Sequence, residues 1–192
     1  MLNKAHTWAL EGFTDILNGI PFPMGGVDTD NGGEFINKGM IALCKQLDIQ
    51  FTRSRPYKKN DNCHVEQKNN TCVRNYIGYY RFTTEAERNA LAAVYRALCP
   101  LLNYFMPTVK LVNKTRVGFS VRKVYDTPMS PYQRLMACAT LPEKVKAELT
   151  RRYQTYNPVV LQREVNAAIT ALLSVHTQQA QTVSPVPAVK AS

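Results

Sequence analysis

Hydrophobic spacing along the chain switches repeatedly between the helical and the strand period. Ala5, Trp8, Ala9, Gly12 and Ile16 form the stripe of an amphipathic helix over residues 3–18, closed by Pro21 and Pro23. Residues 24–30 read as a short strand: Val27 lies among glycines and acids, and the run ends in the turn signal Asn31-Gly32-Gly33. Asp28 and Asp30 are then expected on one strand face. Phe35, Ile36, Met40, Leu43 and Leu47 restore helical spacing over 34–47, and 49–52 is a second brief strand. The first quarter of the chain is thus a strand, helix, strand unit behind a leading helix.

Residues 53–62 (RSRPYKKNDN) are too basic and too poor in apolar residues to bury themselves, so an exposed loop is expected. A helix follows over 63–79 with Glu66, Asn69, Asn70, Val73 and Ile77 on one face and the acid in its first turn. Thr84 and Glu87 form a capping box ahead of Leu91, Val94, Leu98 and Leu102, a helix bent or ended near Pro100. Residues 108–126 alternate apolar and basic positions around 113–116 and predict a hairpin or extended arm, with five Lys/Arg before its one acid, Asp126. Residues 127–134 read as a proline-punctuated linker. Thr140 with Glu143 repeats the capping-box pattern and opens a helix to about Tyr156. Asn157-Pro158 then caps a last helix whose stripe, Leu161, Val165, Ala168 and Leu172, is that of ordinary packing. The polar, proline-containing segment 177–192 is expected to be disordered.

Composition narrows the function. The 24 Lys+Arg against 14 Asp+Glu give a formal charge of +10, which favours a polyanionic partner, nucleic acid first, with a membrane surface or ribosomal association as weaker alternatives. No apolar run approaches the roughly 18 residues of a membrane span, and residues 1–10 lack the unbroken apolar stretch of a secretory signal, so a cytoplasmic location is the default expectation. Five cysteines, none in a Cys-x-x-Cys pair, predict reduced thiols rather than a disulfide framework or a zinc knuckle.

Two acids stand out by position: Asp30 at a strand end before Asn-Gly, and Glu66 in the first turn of a helix that follows a basic loop. Taken singly, the first is ordinarily a turn former and the second ordinarily serves the helix dipole. Together, on neighbouring rigid elements with 35 residues between them in helix-strand order and a basic loop directly before Glu66, they have the form of carboxylates for hard divalent ions in phosphoryl transfer. His64, two residues before Glu66 on a helix, points away from it. Arg53 and Arg55 read equally well as DNA contacts and as a solvated strand end.

The strings DTDNGGEFIN (28–37) and FTRSRPYKKNDNCHVEQKN (51–69) resemble the second and third catalytic blocks of bacterial insertion-sequence transposases with a DDE, retroviral-integrase-type core. Residues 103–136 resemble the segment that follows that core. The resemblance implies an α/β, ribonuclease H-like fold, here incomplete and lacking its first strands, followed by a mainly helical C-terminal region. It divides the chain into a partial catalytic core (1–106), a basic arm and linker (107–139), C-terminal helices (140–176) and a tail. It implies strand transfer dependent on Mg²⁺ or Mn²⁺ at a two-metal site, with DNA as partner and a homo-oligomer or a full-length transposase as associate. It puts catalytic, metal-binding roles on Asp30 and Glu66. The loop at 57–63 corresponds to the family's active-site loop, so Lys58, Lys59 and Asn60 are expected on phosphates, and Lys68 and Asn69 face the DNA. The family's first metal-binding Asp has no counterpart here, since Glu11 and Asp15 fall within the helical stripe. The expectation is therefore a truncated core, inactive alone; the alternative is a non-catalytic nucleic-acid-binding remnant using residues 53–59 and 110–123.

Overall fold

The computed structural model describes residues 6–30, 32, 38–55, 57, 58, 61 and 63–182, without the side chains of residues 6, 64 and 179–182. It is a mixed α/β structure, mostly helical, with two small two-stranded sheets. Helix α1 (His6–Gly19) forms where the pattern predicts, but in a different rotation: Ala9 and Phe13 are buried, Leu10 and Leu17 pack behind them, and Ile16 is 55% exposed. Trp8, Ala9, Leu10, Gly12, Phe13, Ile16 and Leu17 span a wide apolar arc opposite Thr7, Glu11, Thr14 and Asn18, so spacing alone left the phase within that arc open. Strand β1 (Gly26–Thr29) pairs in parallel with β2 (Gln50–Arg53), Gly26 opposite Gln50 and Thr29 opposite Arg53. The crossover carries α2 (Lys38–Gln46), whose Met40 and Cys44 join Phe13 and Ile49 in one apolar cluster. Of the expected helix over 34–47, residues 34–37 lie outside the described residues. Leu47, expected in the stripe, is 48% exposed because Asp48, at φ 53, turns the chain away after the last helical turn. A Cβ on Gly26 would stand 3.3 Å from the Gln50 carbonyl, so glycine permits this close strand approach.

The predicted helix at 63–79 is a composite. Helix α3 (Cys63–Asn69) passes through a π-helical turn (Asn70–Arg74) into α4 (Asn75–Ile77) and stops at Gly78, φ 69. Its carboxyl half brings Ile77 and Val73 to a second, larger apolar cluster, while Glu66, Asn69 and Asn70 are exposed. The Thr84–Glu87 capping box forms in full at the head of α5 (Glu85–Pro100). Pro100 does not end the rod: α5 runs on directly into a π turn (Leu101–Phe105), closed by the Met106 amide on the Leu101 carbonyl. Val94, Ala97, Leu98 and Leu101 on this rod interlock with Leu161, Val165 and Leu172 on α8 (Pro158–Thr182), whose first amides are capped by the Asn157 side chain. The expected stripe on the last helix is therefore packing. That helix also runs to Thr182, beyond the expected start of a disordered tail at 177, because Gln and Ala continue it without a breaker.

Between these rods in chain order comes a hairpin, β3 (Leu111–Val117) and β4 (Ser120–Tyr125), as one of the two expected forms of the basic arm. Its base is fastened. Thr108 and Met129 exchange backbone hydrogen bonds of 3.0 and 3.2 Å, Lys110 donates its amide to Asp126, and Arg134 binds both Asp126 and the Thr108 carbonyl at 2.6 Å. The Arg134 guanidinium, and then the Lys110 amide, hold the Asp126 carboxyl at a pKa of about 2. The expected linker at 127–134 instead contains the start of α6 (Pro131–Met136), a Ser-Pro-x-Gln capping box with both halves made. Conversely, the Thr140–Glu143 box does not form: α7 (Glu143–Thr155) starts from Pro142 without a side-chain cap. Ser130 is 3% exposed, so Ser130→Ala is expected to lower stability by about 1 kcal/mol, seen as a lower urea midpoint at unchanged m. Among the described residues no helix is long and apolar enough to cross a membrane.

Candidate functional site

Asp30 follows the last residue of β1, beside the carboxyl ends of the two parallel strands, where open α/β sheets bind ligands. It is half-buried, and its Oδ1 accepts the Gly32 amide at 2.9 Å, an Asx turn that fixes the carboxylate's direction. Asp28 does not share its setting: it is exposed and accepts the Thr52 hydroxyl at 2.7 Å from the neighbouring strand. The two acids therefore differ, as only one of them lies within the strand.

Arg53 ends β2 exposed, opposite Thr29, so a cation stands at the same sheet end as Asp30. Ser54 is the exception to the expected exposed loop: it is 3% exposed and donates its amide to the Thr29 carbonyl at 2.9 Å. Arg55 is not a free cation. Its guanidinium forms a two-pronged pair with Asp61 at 2.8 and 3.0 Å, and its amide donates to the same carboxylate, holding Asp61 at a pKa of about 2. The turns within this clasp place Tyr57 at φ 60 and fully exposed, with Lys58 exposed beside it. Lys59 and Asn60 lie outside the described residues.

Glu66, Lys68 and Asn69 are exposed on α3. Glu66 has no hydrogen-bond or ion-pair partner among the described residues, and among them no three His, Cys, Asp or Glu side chains converge on one point. The donor chemistry suits a hard cation: both candidate ligands are carboxylates, one oriented by a backbone amide and the other open to solvent. Two carboxylates leave most of such a shell to water, phosphate or a further acid.

Two features had no local signal in the sequence. Tyr104, Tyr132, Tyr153 and Tyr156 gather from three places in the chain, Tyr132 and Tyr153 stacked at 4.7 Å, and Tyr104, Tyr132 and Tyr156 line a cleft of about 390 Å³ together with residues 19–22. Glu87, 2% exposed, answers His176 across the α5–α8 contact as well as its own capping amides. The capping half of the second feature was legible; the partner 89 residues away was not.

No family model matches the chain. It is 41% identical over 114 residues to the uncharacterized protein y4rM of Sinorhizobium fredii, a match that takes in 59% of this chain and 33% of that protein. The match thus spans about a third of the length of the relative.

Proposed function

We propose that the chain is part of a DNA strand-transfer protein of the DDE transposase and integrase type, with Asp30 and Glu66 as two of its metal-binding carboxylates and an incomplete ribonuclease H-like sheet as its scaffold. The observation that carries the reading is the parallel β1–α2–β2 unit, with Asp30 at its carboxyl end, the cation Arg53 at the same end of β2, and Glu66 accessible on the following helix. When bound, a pair of Mg²⁺ or Mn²⁺ ions activates the attacking oxygen and stabilises the leaving one. The Gly32 amide holds Asp30 in one orientation, Glu66 supplies the second carboxylate, and Arg53, Lys58, Lys68 and Asn69 line the approach of the phosphodiester backbone. A third carboxylate, from another segment, a second copy or a full-length transposase, completes the set.

The expected result is no Mg²⁺- or Mn²⁺-dependent nicking of supercoiled plasmid by the 192 residues alone. Joined behind a segment that supplies the opening strands and their Asp, the same residues are expected to nick, and Glu66→Gln to abolish it. Nicking indifferent to Glu66→Gln overturns the assignment.

A second reading has its own support. Because Asp30 already serves the turn through Gly32, it has a structural occupation that outlasts catalysis, as in a non-catalytic nucleic-acid-binding remnant. A completed chain that binds DNA and never nicks it favours that reading.

A further inference from the structure

The β3–β4 hairpin is built as if for something outside the chain. Every residue of both strands is exposed, so neither face is buried against the rest of the molecule. A lone two-stranded hairpin is marginal in water, and this one adds a penalty: Lys114 stands directly opposite Lys123. Residues 111–125 contain four cations, Lys114, Arg116, Arg122 and Lys123, and no acid. Asp126, at the base, is already taken by Arg134. Alternation along the strands places Lys114, Arg116 and Lys123 on one face, Lys114 and Arg116 about 6.8 Å apart along the strand. At the turn, Gly118 adopts φ 60, the Arg116 Nε donates to its carbonyl, and Phe119 projects fully exposed.

We propose that this hairpin is a duplex-DNA-binding arm, a fastened β-ribbon whose four cations neutralise phosphates and whose tip places Phe119 against the nucleic acid. The inference rests on the DNA reading above but assigns binding to a surface separate from the carboxylates. Charge complementarity argues for a polyanion, since a phosphate between Lys114 and Lys123 turns their repulsion into attraction for both. Width argues for duplex DNA: a two-stranded ribbon fits a major groove of about 12 Å, whereas the corresponding groove of double-stranded RNA is too narrow for side chains to read. The fastened base argues for preorganisation, because the arm is held at a set angle before it meets DNA.

The test is fluorescence anisotropy of the full chain with a labelled duplex between about 50 and 200 mM salt, for the wild type and for Lys114→Gln/Arg116→Gln/Arg122→Gln/Lys123→Gln combined. Four lost phosphate contacts are expected to weaken binding roughly a hundredfold or more at the low-salt end and to flatten the logarithmic salt slope by about 3 to 4. Lys114→Arg/Lys123→Arg is expected to bind like the wild type. Phe119→Ala is expected to weaken binding several-fold without changing the slope. Thermal unfolding checks the fold of the combined variant, which loses a repulsion and no buried contact. Wild-type slope and affinity in the combined variant overturn the arm while leaving DNA binding to residues 53–69. Tighter binding of the wild type to double-stranded RNA or to phosphatidylserine vesicles overturns duplex DNA as its occupant. Arm-dependent binding with no nicking by the completed chain upholds the arm and removes the strand-transfer reading. No duplex binding by the wild type at any salt overturns both.

Discussion

Leu172→Ala is expected to lower the unfolding free energy by about 3 to 5 kcal/mol. Leu172 is fully buried on α8 in the cluster formed with Leu98, Val94 and Leu101, and rigid rods on both sides give the site little room to collapse around the cavity. Against a total stability of about 5 to 15 kcal/mol for a domain, that loss is a large share of the whole. Urea titration followed by circular dichroism should show a lower midpoint with little change in slope. Ile16→Ala, at a residue 55% exposed, is the matched control and should move the midpoint by no more than about 0.5 kcal/mol equivalent.

Glu87→Ala is expected to cost about 2 to 4 kcal/mol at neutral pH, since it removes the carboxylate half of the α5 capping box and leaves the Thr83 and Thr84 amides without their acceptor. The effect depends on pH, and its sign follows from the folded state. His176 first, then the Thr83 and Thr84 amides, bring the Glu87 carboxyl from 4.5 to about 2. A carboxyl depressed by folding contributes fully above its unfolded pKa, and the contribution disappears as pH falls through the folded one. The difference in melting temperature between wild type and variant should therefore narrow progressively as pH falls from about 5 towards 2. A difference that widens on acidification would refute the assignment.

What the sequence made legible was local. The Thr84–Glu87 box, the Asn157 cap and the turn of the hairpin rest on residues within a few positions of one another, and each forms; the strand, helix and strand of the first unit were legible one by one, but their parallel pairing joins residues 24 apart. Where local cues competed, the outcome turned on packing. Trp8, Ala9, Leu10, Phe13, Ile16 and Leu17 allow several buried faces for α1, and the one chosen is the one that meets Met40 and Ile49. Ser130-Pro131-Tyr132-Gln133 holds a capping box as sound as Thr84–Glu87, but its proline reads as linker punctuation unless it is seen as the first helical residue. At Thr140 the same pattern came to nothing, because Pro142 already stands at the cap position of α7. Distant partners left no trace in spacing at all: His176 for Glu87, and the tyrosines that the turn after α5, α6 and the end of α7 bring together; the Arg55–Asp61 pair is near in sequence but lies in a loop with no period to reveal it. Asp30 and Glu66 stand out in the sequence by residue type and order, whereas the divided settings of Asp28 and Asp30 depend on where one strand ends.

Asp30 rides on the unit packed around Met40 and Cys44, and Glu66 on the rod that reaches Ile77 in the other cluster. Between them runs the segment 54–62, which as a slack chain could reach about 30 Å. The Arg55–Asp61 clasp takes up most of that slack, so the two carboxylates are linked by a short strut rather than a long string. With Arg55 71% exposed, the strut is electrostatic and open to exchange: salt screens it, and a phosphate that claims the guanidinium releases Asp61. Rising ionic strength is therefore expected to loosen the connection between β2 and α3 while leaving the two apolar clusters at its ends intact.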